Sequence, residues 1–237
     1  MNNILITKNF NKSHPLIAAL KNSGFNVIVE PLFKVEAIEQ NVDYLDEVKN
    51  IILTSANCEE FFFKAALDRN IRVFAIGRQT ANMAKRCGFR NIEIANQKSA
   101  LTVKELFLKS NVNKSDLTLY PRGEVITMDL KNQLGDLGHN IVDLITYKTI
   151  NNQSFSEDLL NFCQNNQIHY VSIYSPNSAR IFASLAQKHD LVDYFMTSEI
   201  LGFSEKIISL LKEACDKSWA DSVGSFDKIK ILKEFYD

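Results

Sequence analysis

Apolar positions along this chain follow two alternating rhythms. Short stretches dominated by adjacent apolar residues, at 4–7, 27–30, 51–54, 73–76, 117–120, 141–145, 170–174 and 200–201, read as strands covered on both faces. Between them the apolar positions move to helical spacing. Leu16, Ile17, Ala19 and Leu20 mark a helix over 15–23, and Gly24 stands where a helix end needs a positive φ. The same spacing predicts helices at about 57–68, 78–87, 102–110, 125–137, 156–165, 177–187 and 204–214. Thr102-x-x-Glu105 has the form of a capping box. Strands alternating with helices in this order predict an α/β fold with parallel sheets flanked by helices.

The chain also repeats itself. With residues 4–33 laid on 118–147, Leu5 meets Leu119, Leu16 meets Leu130, Leu20 meets Leu134, and Gly24 meets Gly138. Ser55-Ala-Asn57 then matches Ser175-Pro-Asn177, and Ala75-Ile-Gly77 matches Ile200-Leu-Gly202. Three matches in the same order predict two similar α/β halves.

Length and charge narrow the picture. The 237 residues suit one large domain or two smaller ones. Lys and Arg number 27 against 28 Asp and Glu, a net charge of −1. That excludes a broad basic face for nucleic acid or anionic lipid and leaves room for a local basic pocket. No apolar run reaches the roughly 18–20 residues of a membrane span. The opening Met1-Asn2-Asn3-Ile4 has no basic stretch of the secretory kind. Cys58, Cys87, Cys163 and Cys215 are widely spaced and predict reduced thiols in or near the core, so the expected location is cytoplasmic. With no low-complexity stretch, any two domains are joined by short ordered segments.

Ligands of open α/β sheets bind beyond the C-terminal ends of the strands. Here those ends carry Thr7-Lys8, Thr54-Ser55, Gly77-Arg78-Gln79-Thr80, Arg122-Gly123, Ser175 and Gly202-Phe203-Ser204. Each is small or polar and opens a helix. Such residues serve as helix caps, and helix N-termini also receive carboxylate or phosphate. Six such ends in two facing halves describe a cleft for a ligand with many anionic groups. The sequence contains no G-x-G-x-x-G, P-loop, G-x-S-x-G or H-E-x-x-H, and its four histidines are scattered. No metal and no cofactor is expected. Tyr147 closes the strand at 141–145; it either anchors that strand or, as a neutral phenol with a pKa of about 10, donates a proton.

The segments Ile52-Leu-Thr-Ser-Ala-Asn57, Ala75-Ile-Gly-Arg-Gln-Thr-Ala81 with Gly88-Phe89, Tyr120-Pro-Arg-Gly-Glu124, Tyr147-Lys-Thr149 and Val171-Ser-Ile-Tyr-Ser-Pro-Asn-Ser178 resemble the uroporphyrinogen-III synthase family over nearly the whole chain. The resemblance implies two similar α/β domains joined by a two-stranded ribbon. The first, discontinuous, holds residues 1–33 and 150–237, and the second 38–144. Connecting strands lie at 31–37 and 145–150, with the active site in the cleft between domains. It implies a cyclising lyase that converts hydroxymethylbilane, a linear tetrapyrrole with eight carboxylates, to uroporphyrinogen III, inverting ring D and losing water. Tyr147 matches the tyrosine proposed to protonate the departing hydroxyl. Thr54, Ser55, Thr80, Arg122, Ser175 and Ser204 match or adjoin substrate-binding positions. In Gly202-Phe-Ser-Glu-Lys206, Ser204 is the one hydroxyl where the family tends to carry two threonines. No metal, cofactor, nucleic acid or membrane is implied, and a monomer is expected. Two rivals are a non-catalytic two-lobed anion sensor and a flavodoxin-like module holding flavin.

Overall fold

The computed structural model describes residues 1–10, 14–97, 99–202, 223–225 and the single positions 207, 209, 211 and 232. The strands are β1 (Asn2–Ile6), β2 (Phe25–Val29), β3 (Phe33–Ala37), β4 (Asn50–Leu53), β5 (Arg72–Ala75), β6 (Asn91–Ile94), β7 (Thr118–Gly123), β8 (Ile141–Asn151), β9 (Tyr170–Ile173), β10 (Glu199–Gly202) and β11 (Val223–Ser225). The helices are α1 (Pro15–Asn22), α2 (Glu59–Lys64), α3 (Arg78–Arg86), α4 (Ala100–Lys109), α5 (Leu130–Gly135), α6 (Glu157–Asn165), α7 (Pro176–Lys188) and α8 (Val192–Met196). The chain divides into two compact units, Met1–Lys34 with Ile150–Asp237, and Val35–Thr149.

In the first unit the sheet order is β2-β1-β9-β10-β11, and every pair is parallel. Ile4, Leu5 and Ile6 of β1 are all sealed from solvent, because helices cover both faces. Alternation sends Leu5 to a core with Ile173, Phe182 and Phe195, and sends Ile4 and Ile6 to one with Leu16, Leu20 and Leu201. In the second unit the order is β3-β8-β7-β4-β5-β6. There Ile51 and Leu53 face Phe61, Phe62 and Met83, while Ile52 faces Phe74, Phe107 and Leu130. Each such side chain contributes about 1.5–3 kcal/mol by leaving water, which is why these strands carry no polar face. The strands from β4 to β8 are parallel neighbours, and only β3 runs against them: Ile38 N–H donates to Thr146 O and Asn152 N–H to Leu32 O.

Under the alignment of 4–33 with 118–147, the order β2-β1-β9-β10-β11 maps onto β8-β7-β4-β5-β6. The likeness extends to the backbone: Gly24 and Gly138 both adopt φ +86°. Each closes a helix and turns the chain into the next strand.

Several local readings change. The helix expected at 57–68 is a 3₁₀ turn, Ala56–Cys58, followed by α2, which stops at Lys64 when Ala65 turns extended. The helix expected at 125–137 shortens to α5, capped by the Asp129 carboxylate. The cap of α4 is Ser99, whose hydroxyl accepts from Thr102 N–H, so the Thr102–Glu105 box lies a turn inside the helix. Strand β6 and helix α8 come from segments of 4 and 5 residues, too short for a periodicity to announce them. Most of the helix expected at 204–214, with Ser204, lies outside the described residues, as does Cys215. Cys58, Cys87 and Cys163 are buried free thiols.

Gly24 offers a clean test, because a Cβ added there meets nothing within 4 Å. Gly24→Ala therefore changes only backbone strain, and we expect a loss of about 1–2 kcal/mol in urea unfolding. Gly24→Asn, which enters the left-handed region more readily, should lose less than half of that. Equal losses for the two variants would exclude backbone strain as the cause.

Candidate functional site

The order of strands in the second unit reverses direction between β7 and β4, and a crevice forms at the outer ends of such a pair. Beyond β4 come Thr54 and Ser55; β7 ends at Gly123. Strand alternation sends the first two to opposite faces. Thr54 Oγ1 lies 3.4 Å from the Tyr120 hydroxyl, on the face shared with Ile52. Ser55 lies toward the other face and shares a hydrogen bond with Tyr147.

Tyr147 reaches that face through an irregularity. Leu144 of β8 pairs with Pro121, and Ile145 with Arg122, but Gly123 pairs with Tyr147. Thr146 is the extra residue, a β-bulge. Tyr147 stands three positions after Leu144, and an unbroken strand would place them on opposite faces. With the bulge, both pack into the core of Leu53, Cys58 and Phe61. Glu124 N–H closes the shifted ladder on Tyr147 O at 3.0 Å.

The tyrosine ring then lies where Gly123 has no side chain. A Cβ at Gly123 would stand 2.7 Å from ring atoms Cε2 and Cζ and 2.9 Å from the hydroxyl. Glycine is required here by close approach, not by φ. Burial pushes the Tyr147 phenol above its usual pKa of 10; hydrogen bonds with Ser55 and Asn57 oppose that rise without cancelling it. The phenol is protonated at neutral pH. Beneath it, Cys58 donates to Pro121 O at 3.4 Å, and burial pushes its thiol up to about 12. Cys58 is thus a neutral packing residue rather than a nucleophile.

The other candidate residues divide. Ser55 caps the 3₁₀ turn, accepting from Asn57 N–H at 3.1 Å, and Ser175 of the first unit caps α7, accepting from Ser178 N–H at 3.1 Å. The capping alternative therefore describes both serines. Helix α3 differs: its N-cap is Gly77, which has no side chain to accept from the first amides, and Arg78 and Gln79 are exposed. Thr80, expected among the substrate-binding positions, has its side chain 96% buried within this helix, because it falls on the helix's core face beside Ala81, Met83 and Ala84. Arg122, expected to meet substrate, is held by Asp143, with Nη2 2.6 Å and Nε 2.8 Å from Oδ2. Lys131 Nζ takes the other oxygen at 2.8 Å. Burial alone would raise the Asp143 carboxyl; Lys131 and Arg122 outweigh it and hold the group below the usual carboxylate range. Asp143 was not singled out by composition or spacing, and Gly123 was read only as part of a strand end. Only the bulge gives them meaning.

Comparison with known proteins adds a family. A family model described as uroporphyrinogen-III synthase HemD matches residues 14–202. Uroporphyrinogen-III synthetase from Helicobacter pylori is 14% identical, the match covering 100% of this chain and 98% of that one, with a TM-score of 0.62. A mutant uroporphyrinogen III synthase from Thermus thermophilus is 12% identical over 99% and 100% of the two chains, with a TM-score of 0.51. These structural likenesses establish the mixed α/β fold. No curated protein sequence matches the chain.

The contact between Gly123 and Tyr147 predicts a specific pattern of stability. Gly123→Ala must push the ring aside and should cost about 1–3 kcal/mol. In a Tyr147→Ala background the same change should cost almost nothing. Thermal unfolding of the four proteins checks this, and additive losses would mean that the clash lies elsewhere.

Proposed function

The chain belongs to the uroporphyrinogen-III synthase family, and we propose that the outer ends of β4, β7 and β8 carry the chemistry of that family. The reaction is a cyclisation: hydroxymethylbilane becomes uroporphyrinogen III, with loss of water and inversion of ring D. The enzyme is a cyclising lyase of tetrapyrrole biosynthesis, and the reading as a non-catalytic anion sensor is not favoured.

The observation that carries the site assignment is the Tyr147 phenol, protonated, set over Gly123 and bonded to Ser55 and Asn57. In this reading Tyr147 gives its proton to the hydroxyl leaving the ring A methylene carbon. The carbon–oxygen bond breaks, water departs, and the cation that remains is attacked by the substituted α-carbon of ring D. The spiro intermediate fragments, ring D turns over, and closure at the other α-carbon releases a proton that restores the phenol. Ser55 orients the acid. A phenol with a pKa above 10 is a weak donor at neutral pH, so its share of the rate sits at the low end of the range for general acids. Holding the bilane in the rearranging conformation contributes more, since direct closure to the unrearranged isomer competes with no enzyme at all.

The carboxylates are bound, in this reading, by backbone amides at the starts of helical segments. Ser55 and Ser175 shape two such starts; Thr54 supports the first through Tyr120. The start of α3 is the best receptor, because Gly77 leaves its first N–H groups without a side-chain partner. Thr80 contributes there by anchoring the helix from within. Ser204 belongs to this reading from sequence alone. A cytoplasmic monomer with no metal or cofactor completes it. Among the described residues no group of three or more His, Cys, Asp or Glu is placed to hold a metal ion, and no helix is long and apolar enough to cross a membrane.

Two measurements test the acid role. Tyr147→Phe keeps the ring over Gly123 and removes only the hydroxyl. Turnover should fall by about 10²-fold while the product remains mostly isomer III and the melting temperature is nearly unchanged. A stable variant with parental turnover would leave Tyr147 as an anchor and nothing more. The pH profile supplies the second. Because burial raises this phenol, loss of its proton should cause no fall in kcat below about pH 10. A falling limb at lower pH that vanishes in Tyr147→Phe would contradict the protonation state assigned.

A further inference from the structure

We infer that the Arg122–Asp143 ion pair positions the catalytic tyrosine, by locking the β7–β8 register shift, rather than binding substrate. The inference rests on Tyr147 being the proton donor. A bulge leaves one residue out of the ladder, and a slip of one position would restore regular pairing. In that slipped register Thr146 would stand over Gly123, and Tyr147 would turn to the opposite face. Something must make the bulged register the better one.

The contacts around the shift do so from both faces. Asp143 stands on β8 before the bulge and accepts from Arg122 Nε and Nη2 through one oxygen. The same guanidinium sends Nη1 to the carbonyl of Gly123, 2.9 Å away, the first residue of β7 after the shift. One rigid group therefore spans the irregularity. Its planar fork fits this task, and a flexible ammonium would not. On the other side, the extra residue Thr146 is 99% buried and donates its hydroxyl to Arg122 O at 3.3 Å, close to the Cys58 thiol. The arginine and aspartate side chains are each only 16% exposed. A substrate carboxylate at Arg122 would have to displace Asp143 and leave that mostly buried charge beside a second anion. Lys131 would remain its one cation.

The test is a cycle of Asp143→Asn, Tyr147→Phe and their combination, read by kinetics and by amide hydrogen exchange. Asp143→Asn keeps the volume and weakens the clamp. We expect kcat to fall about tenfold with KM changed less than about twofold, and the same substitution to cost almost nothing further in the Tyr147→Phe background. Exchange of the Glu124 amide, which is bonded to Tyr147 O, should speed up about tenfold in Asp143→Asn. The Ile76 amide, bonded to Leu53 O on the far side of β4, should keep its parental rate. Arg122→Lys, which loses the fork and keeps the charge, should behave as Asp143→Asn does, and it serves if that variant does not fold. A rise in KM with unchanged kcat, additive with Tyr147→Phe and with normal Glu124 exchange, would overturn the clamp and return Arg122 to substrate binding. If Tyr147→Phe alone keeps parental turnover, the acid assignment fails instead. Glu124 exchange then decides the clamp on its own.

Discussion

The period of two in a β-strand is the constraint on which the site depends. A strand side chain has only two faces to choose from, and neighbours alternate between them. Tyr147 sits three positions after Leu144 and still shares its face, which is possible only because Thr146 drops out of the pairing. From that single extra residue follow the need for glycine at 123, the bond between Ser55 and the phenol, and the burial that raises the phenol's pKa further. The arrangement costs ladder regularity. It is offset by a mostly buried ion pair on one face and a buried threonine on the other.

At the strand ends the structure shows the polar residues as caps, and the proposed binding of carboxylates would use what capping leaves over. Ser55 and Ser175 satisfy amides of the turns they open, as serine at such a position does in any protein. A capped amide is not available to a ligand, but the remaining N–H groups of the turn point outward and carry the partial positive charge of the helix start. Helix α3 lacks a side-chain cap altogether. A substrate with eight carboxylates and no other strong recognition feature is well matched to receptors of this kind. In the proposed reaction they would hold anions with partial charge only, and so oppose a forming cation less than a lysine or arginine would.

The two units share a strand order, yet they are not equivalent. The alignment that lays 4–33 on 118–147 sets Phe33 against Tyr147 and Asn9 against Gly123. The first unit thus has a ring without a hydroxyl and lacks the glycine that would admit it. Phe33 packs instead against the core of Phe155, Phe182 and Phe195. The two units share a strand order, and at this aligned position only the second carries a tyrosine.

Much of this was legible in the sequence. Fully apolar runs such as Ile51-Ile52-Leu53 announce strands buried on both faces, and helical spacing in between implies the parallel order. The repeat, the strand-end serines and the attention due to Tyr147 could all be read from residue types and their order, because alternation and capping are local rules. What the sequence did not disclose depends on register. Thr80 looked available at a helix start and is buried, since the rotation of α3 against its sheet is set by Met83 and Ala84 packing inward. Arg122 looked like a free cation and is bound to Asp143, a residue 21 positions away that only the pairing of β7 with β8 brings near. The bulge itself has no signature in Leu-Ile-Thr-Tyr. Whether a strand keeps or breaks its alternation is decided by what its neighbour can accept, and here the neighbour offers a glycine, a carbonyl and an arginine fork.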